Sequence, residues 1–205
     1  MEESLKRIER RARKSIFHAL LAASHKKGAN AAILIDGDGR KLTYKEIIRA
    51  SFAIGGPVAR ATSPGEKVGV MMPTGAGAVI ALMAAFSQGR TPAMFNFTSG
   101  ARNLKAAARA AEVKKVITAR KFIEIAKLET LVDEMAGTIE FLYLEDMKEA
   151  LTPLDKARAV LGPLLPRFFS ASPDPDSLGI ILFTSGTEGD PKGVAEDDFD
   201  ACPLA

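Results

Sequence analysis

The stretch that decides the fold is ILFTSGTEGDPKGV, from Ile181 to Val194. It joins an apolar run, typical of a buried strand, to a turn rich in glycine and hydroxyl side chains that ends in Pro-Lys-Gly. Gly186 and Gly189 tolerate positive φ and let the backbone approach an anion closely. Successive N–H groups and hydroxyls in such a turn can form an anion-binding nest. The stretch therefore predicts a strand followed by a phosphate-binding loop.

The candidate binding residues follow this strand in one run. Hydroxyls, backbone N–H groups and a lysine ammonium group all suit phosphate oxygens. Pro191 stands where a Walker A loop needs glycine directly before lysine, so a P-loop NTPase is disfavoured. On composition alone, such a turn is more often a plain connection than a phosphate site. The candidate phosphate-binding residues are Thr184, Ser185, Gly186, Thr187, Glu188, Gly189 and Lys192.

The run TSGTEGDPKG, from Thr184 to Gly193, resembles the signature loop of the adenylate-forming (AMP-binding) superfamily, which reads TSG, then Ser or Thr, then TGxPKG. Glu188 stands where most members have Thr. That variant is similar to the acyl-acyl-carrier-protein synthetase branch, in which the domain is fused to a 2-acylglycerophosphoethanolamine acyltransferase. Three upstream segments occur in the order expected of that branch, so the resemblance covers roughly residues 13 to 194. The segments read IFHALLAASHKKG, LTYKEIIRAS and VGVMMPTGAGAVIALMAAFSQGRTPAMFNFTSG.

The resemblance implies a ligase that uses ATP and Mg²⁺. A fatty acid carboxylate would attack the α-phosphate to give an acyl-adenylate and pyrophosphate, and a phosphopantetheine thiol of an acyl-carrier protein or coenzyme A would then take the acyl group. Residues Thr184 to Gly189 would hold the β- and γ-phosphates, and Lys192 would offset charge as pyrophosphate departs. The family's downstream metal ligand, ribose-binding Asp and lid Lys have no counterpart here. We therefore expect an N-terminal fragment that is incomplete for turnover.

A second interpretation is a non-catalytic interaction module that binds an acyl-carrier protein or a separate C-terminal half. Carboxylates within and after the loop favour it modestly, because they oppose polyphosphate. These acidic residues are Glu188, Asp190, Glu196, Asp197, Asp198 and Asp200.

Composition is typical of one globular domain. The chain has 205 residues, 47% of them hydrophobic and 26% charged. Its net charge of +3 arises largely before residue 15. The single cysteine, Cys202, favours a reducing compartment and thus a cytoplasmic location, whereas the complete parent protein can associate with the inner membrane. The longest nearly uncharged helix, Ala76 to Gln88, is shorter than the roughly 20 residues that span a bilayer. Aromatic and basic residues are not interleaved, which disfavours nucleic-acid binding.

Apolar strands alternate with helices along the chain, which predicts an α/β fold with a mainly parallel sheet covered by helices on both faces. A basic amphipathic helix over residues 3–24 should pack on this domain. We expect three regions: this helix at 1–28, a partial AMP-binding domain at 29–194 and an atypical tail at 195–205. The proline-rich stretch from Thr152 to Ser177 predicts a surface excursion. Predicted strands are 31–35, 41–43, 68–72, 92–97, 116–118, 139–144 and 179–183. Predicted helices, with approximate bounds, are 44–53, 76–88, 101–111 and 121–136.

Two cap motifs are predicted, and one competing nucleotide motif is weak. Thr43 should cap the helix that starts at Tyr44, with Glu46 completing a capping box. Ser99 should cap the helix from about residue 101. The Gly75-Ala76-Gly77 turn lacks the third glycine of a dinucleotide fingerprint, since Ile80 occupies that position.

Overall fold

The computed structural model describes residues 15–172, 178–184 and 192–197, with the backbone alone at Leu178, Thr184 and 192–197. Helices and strands alternate through this part of the chain. The helices are α1 Ile16–Lys27, α2 Tyr44–Ala61, α3 Ala76–Ser87, α4 Gly100–Ala110, α5 Arg120–Ile125, α6 Glu129–Met135, α7 Leu144–Glu149, α8 Pro153–Leu161 and α9 Pro166–Phe169, with a 3-10 turn at Phe97–Ser99. The strands are β1 Ala32–Ile35, β2 Lys41–Thr43, β3 Lys67–Val70, β4 Thr91–Met94, β5 Lys115–Thr118, β6 Glu140–Tyr143, β7 Leu178–Thr184 and β8 Lys192–Asp197.

The predicted α/β fold is confirmed. Within the described residues, the main sheet has the order β6-β5-β3-β4-β7-β8. Every neighbouring pair from β6 to β7 is parallel, and β8 runs antiparallel to β7. The predicted hairpin is also present, as β1 pairs antiparallel with β2.

Helices cover both faces of the sheet. On one face, Val68 and Val70 are fully buried and pack with residues of α2, α3 and α7. On the other face, Ala93 and Val116 are fully buried and pack with residues of α4, α5 and α6. Gly69 points to this second face, where a Cβ would lie only 2.6 Å from Val116 Cγ2. The two faces follow from the period-two alternation of strand side chains.

The first helix packs on the outer side of α2 and α3. Phe17 is fully buried and meets Phe52 edge-to-face, with ring centroids 5.2 Å apart. This cluster also contains Phe86 and, partly buried, Phe169. Residues 3–14 of the predicted N-terminal helix lie outside the described residues. The predicted three-region division stays a prediction, although β8 runs across the boundary at 194/195.

The capping box at the start of α2 is confirmed. The Thr43 hydroxyl accepts a hydrogen bond from the Glu46 backbone N–H at 3.2 Å, and the Glu46 carboxylate accepts one from the Thr43 N–H at 2.8 Å. Hydrogen bonds from the Thr43 N–H and from the Thr43 hydroxyl to the Glu46 carboxylate lower the pKa of Glu46. Two donors that a helix start leaves unpaired are satisfied in this way.

The predicted end of α2 near Ala53 is wrong, since the helix continues to Ala61. Gly55 and Gly56 do not end the helix. Because they have no side chains, neighbouring elements can pack closely against the helix and stabilise it. A Cβ at Gly55 would lie 2.9 Å from the Ser87 hydroxyl oxygen of α3. Pro57 removes one backbone donor from the helix. Tertiary packing therefore overrides the local tendency of Gly-Gly-Pro to end a helix.

The single helix predicted over 121–136 is also wrong, because two helices, α5 and α6, occupy this stretch. Lys127 adopts a φ of 53°. The Leu128 N–H donates to Ile123 O and the Lys127 N–H donates to Glu124 O, which is the Schellman pattern that ends a helix. Leu128 and Ile123 share the core cluster on this side of the sheet. Glycine usually occupies the left-handed position at a helix end. Because Lys127 occupies it here, nothing in the sequence signalled that the helix ends.

The proline-rich excursion after α7 is tied to α2 through a buried carboxylate. Asp155 is fully buried and lies 2.9 Å from the Arg60 guanidinium. The same carboxylate accepts a hydrogen bond from the Thr152 N–H at 2.9 Å and forms a capping box with Thr152 at the start of α8. Burial raises the pKa of Asp155, but the hydrogen bonds from Thr152 and the Arg60 charge outweigh this effect and hold it below its ordinary value.

Gly56→Ala should destabilise the fold by at least about 2 kcal/mol, because the new Cβ would lie 1.7 Å from Asp155 Oδ1. Within a helix, alanine would otherwise be preferred over glycine. Urea unfolding measures the difference. Gly37→Ala is the matched control, since no atom lies within 4 Å of a Cβ there. An unchanged midpoint for Gly56→Ala would contradict this close packing.

Asp155→Asn should lower stability at neutral pH, because Arg60 loses its carboxylate partner while Thr152 keeps an acceptor. A carboxyl group with a depressed folded pKa stabilises the fold above its unfolded pKa, near ~3.9, and loses that effect as the pH falls through the folded pKa. The gap between wild type and variant should therefore shrink from about pH 5 to about pH 3. Urea unfolding across this pH range tests it. Asp133→Asn, at an exposed position of α6, is the control. A gap that stays constant would contradict an ionised Asp155.

Candidate functional site

The predicted phosphate loop follows the carboxyl end of a parallel strand. The strands β3, β4, β5, β6 and β7 all end at the same edge of the sheet, where open α/β sheets gather ligands. β7 ends at Thr184, the first predicted nucleotide-binding residue. The other five predicted nucleotide-binding residues lie outside the described residues, namely Ser185, Gly186, Thr187, Glu188 and Gly189.

Lys192, the predicted catalytic residue, begins β8. In the antiparallel pairing of β7 with β8, Thr184 and Lys192 are direct partners. Partners in such a ladder have Cα atoms about 4.5–5.5 Å apart. The two ends of the predicted binding set are therefore direct neighbours in the sheet. Sequence reasoning missed β8, because only Val194 and Ala195 are apolar in the run KGVAED.

An aromatic contact fixes the end of β7 against β4. Phe183 and Phe95 meet edge-to-face, with ring centroids 5.3 Å apart. Phe95 directly follows β4 and is 4% exposed. Backbone pairing of Ala93 with Ile181 joins the same two strands. Each Phe directly precedes a run of polar residues in the sequence, and this shared pattern was the available signal that the two rings lie side by side.

The turn after β4 satisfies its own polar groups. Asn96 Oδ1 accepts hydrogen bonds from the Thr98 N–H at 3.1 Å and from the Thr98 hydroxyl at 2.8 Å. The predicted cap by Ser99 is wrong, because its hydroxyl instead donates to Asn96 O at 2.8 Å. Phe97 packs on Phe122, with centroids 4.9 Å apart. The contacts of Asn96 and Thr98 are those of a strand-to-helix turn.

The N-terminus of α3 is already occupied by a carboxylate. Asp36, from the turn between β1 and β2, accepts a hydrogen bond from the Ala76 N–H at 3.2 Å. A Cβ at Gly75 would lie 2.6 Å from the same Asp36 oxygen. Gly75 therefore leaves the space that the Asp36 carboxylate occupies. The negative charge of Asp36 at this helix end opposes a pyrophosphate there, which disfavours the dinucleotide-binding interpretation further.

Arg120 lies at the same edge, directly after β5. Its guanidinium contacts Asp146 at 2.5 Å and stacks 4.1 Å from the centre of the Tyr143 ring. The hydrogen bond to Asp146 raises the pKa of Arg120. Arg120 thus joins β5 to the segment that follows β6. Among the residues described by the structure, no group of three or more His, Cys, Asp or Glu side chains could hold a metal ion.

No helix in the described ranges is long and apolar enough to cross a bilayer.

Comparisons with known proteins agree on one superfamily. A curated relative, the nonribosomal peptide synthetase vlms of Lecanicillium sp, is 27% identical over 179 residues, which cover 86% of this chain and 2% of that protein. The solved structure of VinN with 3-methylaspartate superposes with a TM-score of 0.70 at 21% identity, covering 92% of this chain and 50% of VinN. The N-terminal subdomain of Klebsiella oxytoca NpsA gives a TM-score of 0.67 at 18% identity, covering 90% of this chain and 42% of that chain.

The chain thus spans half or less of these matched proteins. At such identities the structural matches establish the fold, which is that of adenylation-domain N-terminal subdomains. The family model described as AMP-binding enzyme matches residues 21–196, which include β7, the predicted loop and most of β8. This chain belongs to the AMP-binding, adenylate-forming enzyme family.

Proposed function

We propose that this chain forms the phosphate-binding part of an ATP-dependent ligase that activates a carboxylic acid as its acyl-adenylate. The observation that carries the proposal is the register of β7 and β8. It places Thr184 opposite Lys192 at the carboxyl edge of the sheet and closes a loop whose sequence matches the family signature.

The loop residues act by position and charge. The hydroxyls and backbone N–H groups from Thr184 to Gly189 hold the β- and γ-phosphates, and Lys192 offsets the charge that develops on the departing pyrophosphate. Preorganised donors cost little reorganisation at the moment of reaction, which is why a loop closed by a strand pair suits this task. Mg²⁺, when bound with ATP, shields the polyphosphate charge. The described residues offer no cluster for it, so we assign no ligand.

The proposed acid is a fatty acid, and the proposed acceptor is the phosphopantetheine thiol of an acyl-carrier protein or coenzyme A. Support comes from the sequence, since Glu188 and the three upstream segments resemble those of the acyl-acyl-carrier-protein synthetase branch. The names of the relatives favour a competing substrate class, because VinN was solved with 3-methylaspartate and vlms is a peptide synthetase. An amino acid is therefore the alternative acid. A cytoplasmic location is part of this proposal.

Lys192→Ala should weaken binding of MgATP by roughly tenfold, since one charge-assisted contact to phosphate contributes about 1.4 kcal/mol or more. Isothermal titration calorimetry on the 205-residue chain measures it. Lys67→Ala is the control, because Lys67 begins β3 at the opposite edge and pairs with Glu112 at 2.8 Å. Absence of heat with the wild-type chain would contradict an autonomous phosphate site. Co-purification with a carrier protein would then favour the interaction module.

The acid itself can be tested with stable sulfamoyl-adenosine analogues of the acyl-adenylate. We expect an analogue with a long acyl chain to compete with MgATP roughly tenfold more strongly than its aspartyl counterpart, because the acyl chain adds apolar burial. Competition calorimetry compares the two. Plain sulfamoyl-adenosine is the control for the shared nucleotide. Stronger competition by the aspartyl analogue would contradict the fatty acid assignment and support an amino acid substrate.

A further inference from the structure

The helical excursion after α7 exposes large apolar side chains in one place. Leu164 is 75% exposed and Phe168 is 81% exposed. Backbone hydrogen bonds of the turn between α8 and α9 keep them close to two further leucines. Contiguous exposed apolar groups of this kind commonly mark a binding surface. We call the set Leu161, Leu164, Leu165 and Phe168 the α8–α9 tip.

The exposure of the tip does not come from a loosely held segment. At its start, the fully buried Asp155 pairs with Arg60 of α2. At its end, the Gln88 side chain donates to Phe169 O at 3.1 Å. Between them, Gly162 packs directly on the Phe52 ring. The excursion is anchored to α2 and to the end of α3, and it still holds its leucines and Phe168 in solvent.

The charge around the tip is positive. From Pro153 to Ser172 the basic residues are Lys156, Arg158 and Arg167, and the only acidic residue is Asp155, which is buried and paired. α1 begins against the cluster that contains Phe169. The face therefore fits an anionic partner.

We propose that the α8–α9 tip docks on an anionic lipid surface. Leu164 and Phe168 enter the boundary between head groups and acyl chains, while the flanking Lys156 and Arg167 meet lipid phosphates. A side chain that is four-fifths exposed stands out from the surface and does not line a groove. Fluid acyl chains can accept such a projection without a complementary pocket, which favours lipid over an acidic protein.

This docking is peripheral. α8 has nine residues and α9 has four, so neither reaches the length of about 20 residues that a helix needs to cross a bilayer. The inference is independent of the proposed ligase activity, because it uses no residue of the phosphate loop.

Co-sedimentation of the full chain with vesicles tests the proposal. The probes are vesicles of phosphatidylcholine alone and vesicles in which about a third of the lipid is phosphatidylglycerol. The wild type should bind the anionic vesicles, and Leu164→Ser/Phe168→Ser should reduce the partition coefficient roughly tenfold. Ile125→Ser is the matched control, since Ile125 is 70% exposed on α5 outside the tip. Arg167→Gln and added salt should both weaken binding.

The altered side chains are exposed, so all three variants should fold, and circular dichroism checks this. Failure of the wild type to bind anionic vesicles overturns the proposal, as does unchanged binding by the double variant or equal binding to both vesicle types. Analytical ultracentrifugation tests the alternative that the tip binds a second copy of this chain. If the wild type self-associates, ignores vesicles and becomes monomeric in the double variant, the tip binds a second copy of the chain instead of lipid.

Discussion

The pairing of β7 with β4 is the contact on which the rest of the structure depends. Ala93 and Ile181 are partners in this ladder, although 88 positions separate them in sequence, and both are almost fully buried. Closing so long a loop is entropically costly, and apolar burial on both faces of the strand offsets that cost. Because β7 is held between β4 and β8, its last residue, Thr184, lies at the carboxyl edge of the parallel strands. The edge-to-face contact between Phe95 and Phe183 stabilises the end of β7 against the end of β4.

The same edge shows how the fold restricts where an anion can bind. One candidate helix N-terminus receives the Asp36 carboxylate, and Asn96 uses its side-chain oxygen within its own turn. Arg120 is engaged by Asp146 and Tyr143. These contacts use hydrogen-bonding capacity that a nucleotide would otherwise share. The segment between β7 and β8, which begins after Thr184 and ends at its pairing partner Lys192, therefore remains the proposed phosphate site.

The excursion between β6 and β7 presents a different physical problem. A buried carboxylate is costly unless it is paired and hydrogen-bonded, and Asp155 is both. The cost is met where α2 has no side chain at Gly56, so the carboxylate can reach the helix. The resulting rigid attachment leaves an apolar tip in solvent with basic neighbours. Solvent exposure of large apolar groups is unfavourable, and a lipid surface would relieve it.

The sequence by itself determined the features that depend on local pattern: the alternation of apolar strands and helices, the hairpin at residues 32–43, the capping box of Thr43 and Glu46, and the glycine- and hydroxyl-rich run that carries the family signature. Tertiary structure alone decided the strand order, the pairing of Thr184 with Lys192, the passage of α2 through Gly-Gly-Pro and the exposure of the α8–α9 tip. The reason is physical. Caps and periodicity involve atoms a few residues apart, whereas each of the other features depends on partners elsewhere in the chain that no local pattern specifies.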